Sequence, residues 1–119
     1  MEVNLIYFLI LKLTHVACGI FWVGAAVMTA VFMQPAAKSL GPDGGKFMQQ
    51  LAKTNSYPFV LNAASTLTVA SGFLLYWKIS DGFRSEWIFS KYGILLWMGG
   101  IFALVAYCIG FTITRPSNE

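Results

Sequence analysis

Residues 12–33 read KLTHVACGIFWVGAAVMTAVFM, and no charged side chain follows Lys12 until Lys38. The run exceeds the roughly 20 apolar residues that a helix needs to cross a bilayer. At 100° per residue, Asn4, Phe8, Lys12, His15, Gly19, Trp22, Ala26, Thr29 and Met33 share one face of that helix. The face is small, polar and aromatic, and it carries the chain's single histidine. A polar ring beside Gly and Ala is expected to face a neighbouring helix or a cofactor, since lipid cannot pair it.

The rest of the composition agrees with that stretch. Of 119 residues, 57% are hydrophobic and 11% charged, against about 25% charge in soluble domains. The charges are missing from three blocks, the pattern of a polytopic membrane protein. A net charge of +3, thinly scattered, suits loop lysines near lipid headgroups and excludes a nucleic-acid partner. The N-terminus reads as a retained anchor, because Glu2 stands where a signal peptide would be basic and the apolar run is too long. Cys18 and Cys108 form no CxxC or CxxCH motif. They sit early in the first helix and late in the third, at different depths, which argues against a disulfide between them.

The expected architecture is all-α: one integral membrane domain over residues 1–119, with three transmembrane helices at about 3–33, 58–77 and 88–114. Gln34-Pro35 is expected to end the first, since the residue before proline is pushed out of the helical region. A turn at Gly41-Pro42-Asp43-Gly44-Gly45 then leads into a short amphipathic helix with Phe47, Met48, Leu51 and Ala52 on its apolar side, lying at the interface. Pro58 suits the first turn of helix two, whose Asn62, Ser65, Thr66, Val69, Phe73 and Tyr76 share a face. Asp81-Gly82 reads as a turn. Helix three carries a seam of Gly99, Ala103, Ala106 and Gly110, expected to face another helix, and Arg115-Pro116 is expected to stop it. Lysines and arginine near the helix ends divide four against three, favouring an outside N-terminus.

This topology is expected to gather Lys12, His15, Tyr76, Lys78 and Lys91 into one layer. His15 has three readings: a neutral imidazole bonded across a helix interface, an axial ligand to haem b, or a copper ligand or proton relay. Lys12 and Lys91 read either as snorkelling cations or as participants in that site.

THVACGIFWVGAAVM resembles the first helix of the HemJ-type protoporphyrinogen oxidases and the CopD-type membrane domains. NAASTLTVASGFLLYW is similar to their second helix, and WIFSKYGILLW to the start of their third. The resemblance implies a four-helix bacterial inner-membrane protein that binds haem b and oxidises protoporphyrinogen IX. It would make His15 the haem and metal ligand, with Lys91 as its catalytic partner. Gly19, Trp22, Phe73 and Tyr76 would line the pocket, and Lys12 or Lys91 would reach a propionate. Where the family has a basic RxFxxH-like stretch this chain has TAVFMQPA, and Tyr107-Cys108 stands near the family's later histidine. The alternatives are a non-catalytic accessory subunit of an electron-transfer or photosynthetic complex, and a copper-related CopD-like protein. Four crossings imply that a further helix comes from a second copy, a larger complex or residues beyond this sequence.

Overall fold

In a computed structural model, which describes residues 2–113, the regular structure is entirely helical. α1 spans Glu2–Val27, and a π-helical turn at Met28–Met33 joins it without interruption to α2, Gln34–Ser39. α3 is Pro42–Lys53, α4 Tyr57–Ile79, α5 Ser85–Ile88 and α6 Lys91–Ile113. Among the described residues, three helices are long and apolar enough to cross a membrane.

Pro35 does not end the first helix. Gln34 keeps helical angles, φ −63° and ψ −48°, and donates its N–H to the Thr29 carbonyl five residues back. The wider turn places the residue without an N–H inside a register that is already shifted, so the chain absorbs the proline and runs on. The rod from Glu2 to Ser39 has 38 residues, about 57 Å at 1.5 Å per residue.

The expected five-residue turn shrinks to Leu40-Gly41, with Gly41 at φ +65°. Pro42 to Gly45 already form the first turn of α3, because proline at the helix start forfeits no hydrogen bond. Gly44 is buried against the Ala37 carbonyl, which seats α3 on α2. A short 3₁₀ turn at Thr54–Ser56, with Asn55 and Ser56 at positive φ, swings the chain into α4.

Helix three also departs from the expected span. Its first part is the separate turn α5, and α6 starts afresh at Lys91. Ser90 explains the restart: its hydroxyl accepts the Gly93 N–H at 3.2 Å, the geometry of an N-cap. The expected stop at Arg115-Pro116 lies outside the described residues. The Asp81-Gly82 turn forms as expected, with φ of +53° and +78°, and Phe83 continues it at +63°.

α4 is the central helix. It packs on α1 along one side and on α6 along another, while α1 and α6 meet through the rings of Trp22 and Tyr107, 6.5 Å apart. The α4 face toward α1 is small and hydroxylic: Ala64, Ser65, Thr68 and Ser71 are buried with Leu75. Ser65, Thr68 and Ser71 return their hydroxyl protons to carbonyls of their own helix. That satisfies them without a partner and leaves their short side chains free for close packing. The outside is apolar instead, with Val3, Leu13, Ile20 and Phe102 all at least 70% exposed. This distribution is the opposite of a water-soluble domain's.

The inward face of α1 is turned slightly from the expected one. Leu11 is buried where Lys12 was expected, Lys12 and Ala26 are exposed, and Asn4 is exposed too. His15, Gly19, Trp22, Thr29 and Met33 keep the inward side. Among the described residues the α6 seam is only partly covered: a Cβ on Gly99 would meet no atom within 4 Å and Ala106 is exposed, while Ala103 lines the space beside α4.

Candidate functional site

His15 sits in the α1–α4 interface, about halfway along α1. Its Nδ1 lies 2.8 Å from the Thr68 carbonyl oxygen and 3.4 Å from the Ser71 hydroxyl. The carbonyl can only accept, so Nδ1 carries the proton and donates it. In the neutral ring this fixes the tautomer and leaves the lone pair on Nε2. Nε2 has no hydrogen-bond partner among the described residues.

Two glycines make room for the ring. Gly19, one turn further along α1, rests on the Thr68 methyl group: a Cβ there would lie 3.4 Å from it. Gly72 of α4 lies directly against the imidazole, and a Cβ on it would come 2.8 Å from Cε1. Thr68, Ser71 and Gly72 therefore build the histidine's surroundings, and residue-by-residue reading of the sequence did not single them out. The signal was present as a run of small residues opposite a histidine on an antiparallel helix.

The expected single polar layer separates into levels. Lys78 donates to the Asn4 carbonyl at 3.0 Å, and its ammonium shares the Phe8 ring with that of Lys12, at 5.6 and 5.3 Å from the centroid. Tyr76 donates to the Gly93 carbonyl at 3.2 Å. The His15 level, at Thr68, lies eight residues or about 12 Å further along α4. Two more levels follow: Thr66 with Tyr107 at 3.0 Å, and Thr29 with Tyr57 at 2.9 Å. Lys91 opens α6, two residues before the Gly93 that meets Tyr76, and is exposed. The fold thus brings Lys12 and Lys78 together, and it brings neither Lys91 nor Tyr76 to His15.

A cavity of about 290 Å³ lies between α4 and α6. Phe73 and Tyr76 line it, as do Gly72, Phe83, Trp97 and Gly100. His15, Gly19, Trp22 and Lys12 do not. Gly72 is in touch with both the imidazole and the cavity.

These residues suit a haem in one respect and not in another. An imidazole held by its Nδ1, with Nε2 unpaired among the described residues, is a suitable haem donor. The cavity is at the lower end of small-molecule sites and does not include that nitrogen, so one chain does not enclose a macrocycle at His15. No cluster of three or more His, Cys, Asp or Glu side chains occurs among the described residues. Cys18 and Cys108 are free thiols. No family model, curated protein or solved structure matches this chain.

Proposed function

We propose that this chain is an integral membrane protein in which His15 is an axial ligand to haem b, a redox protein of the kind its HemJ-like segments imply. The observation behind the proposal is the fixed tautomer of His15, Nδ1 donating to Thr68 at 2.8 Å and Nε2 left without a partner. Bound there, haem would supply one-electron chemistry. The chain's own part is to hold the imidazole oriented between α1 and α4. The remaining enclosure comes from a further helix, brought by a second copy or another membrane subunit. We place the protein in a bacterial inner membrane with the N-terminus outside. Lys91, far from His15 in this fold, serves as a headgroup or propionate contact at the membrane surface.

The test is a visible spectrum of the protein purified from a haem-replete host. A Soret band and a b-type haemochrome, both lost in His15→Ala, support the proposal. A colourless protein that takes up no added haemin overturns it. A second reading, the accessory subunit, draws on a different observation: no buried side-chain polar atom among the described residues lacks a partner, as expected of an element whose task is packing. A colourless chain that co-purifies stoichiometrically with a larger complex selects this reading.

A further inference from the structure

α4 and α6 are pinned together at two levels and held apart between them. The upper pin is the Tyr76 hydroxyl on the Gly93 carbonyl, 3.2 Å, and the lower is Thr66 with Tyr107, 3.0 Å. Along α4 the pins are about 15 Å apart. The 290 Å³ cavity occupies the interval.

The residues that frame it are unusual for a gap. Gly72 borders it from α4, with its open side turned to His15, and Gly100 borders it from α6; glycines in membrane helices ordinarily let backbones close on one another. Gly100 does not: a Cβ on it would meet nothing within 4 Å. Aromatic rings supply the walls. Phe83 leans on Phe73 and Tyr76, with centroids 5.7 and 6.0 Å apart, and Trp97 stands on the α6 side. Phe83 reaches this position from a positive φ, a backbone state rare for a large side chain.

We infer that this slot binds a flat, lipid-soluble compound of one or two fused rings, entering sideways between α4 and α6. About 290 Å³ lies at the small end of ligand sites and admits a compound of that size. Aromatic side chains along the walls offer offset stacking, and Gly100 leaves open space beside them. The aromatic side chains of Phe73, Tyr76, Phe83 and Trp97 along the slot favour a flat ring over an acyl chain. The inference does not rest on the haem assignment, because His15 lies behind Gly72 and lines no part of the slot.

Menadione, a two-ring naphthoquinone, is a direct probe. It is titrated into the protein in lipid nanodiscs, with tryptophan quenching read against protein-free partition controls. The expected result is saturable, single-site quenching that weakens at least tenfold in Gly100→Leu, whose side chain fills the slot from open space. Ala103→Leu, on the same wall, provides a second filler should the first misfold, and thermal unfolding at the wild-type temperature certifies either. His15→Ala should keep menadione binding even where it loses haem. Purely linear partition, equal affinity in a folded filler variant, or quenching by brominated acyl chains that menadione does not displace overturns the inference.

Discussion

The imidazole of His15 and the backbone of Gly72 are in direct contact, close enough that one added methyl group would lie 2.8 Å from Cε1. The Nδ1 bond to Thr68 therefore depends on a missing side chain four residues along the same helix. Gly72→Ala should push the ring off Thr68 and destabilise the fold by about 1–3 kcal/mol, the usual cost of overpacking. In a His15→Ala background the same substitution has nothing to strike and should be close to neutral. A double-mutant cycle on unfolding in mixed micelles measures the coupling. Additive effects would show that the two residues do not share a site.

The single substitution His15→Ala should itself be mild for stability. Interhelical hydrogen bonds in membrane proteins average about 0.6 kcal/mol. The Thr68 carbonyl also keeps the Ser71 hydroxyl, 3.2 Å away. Loss of more than about 2 kcal/mol would mean that the ring carries packing that its hydrogen bonds do not describe.

Gly44 is tighter still. A Cβ there would fall inside the Ala37 carbonyl, a backbone group that cannot rotate aside. Gly44→Ala should part α3 from α2 and leave the α1–α4 interface untouched. Hydrogen exchange is expected to accelerate across residues 40–53 and to stay unchanged across residues 64–75. Protection retained in both segments would refute the assigned seating of α3.

Most of the helices could be read from the sequence because they rest on long apolar runs, which few competing structures can satisfy. The errors fall where one local rule meets another. Pro35 reads as a terminus, yet a π turn upstream lets the helix pass it. Ser90 reads as one more residue in a helix, yet it caps a new one. The α1 face was drawn through Lys12 because a strict 100° step ignores how far a long charged side chain can swing outward. The small hydroxyl face of α4 was visible, but its pairing with His15 needs the register between antiparallel helices. That register is fixed by contacts such as Lys78 with Asn4 and Tyr57 with Thr29, which no spacing within one helix encodes.

The seam on α6 gives the last prediction. Among the described residues, no atom lies within 4 Å of a Cβ placed on Gly99. Gly99→Leu should therefore leave the unfolding midpoint of a detergent-solubilised monomer within about 1 °C of wild type, having no buried neighbour to displace. If a second copy or another subunit supplies the further helix proposed for this protein, that helix would meet α6 at Gly99, where small residues permit close approach. The same substitution should then lower the fraction of dimer or complex in lipid nanodiscs, read by single-molecule subunit counting at fixed protein-to-lipid ratio. An unchanged monomer with unchanged assembly places the partner helix elsewhere, and a destabilised monomer shows that α6 already buries Gly99 within its own chain.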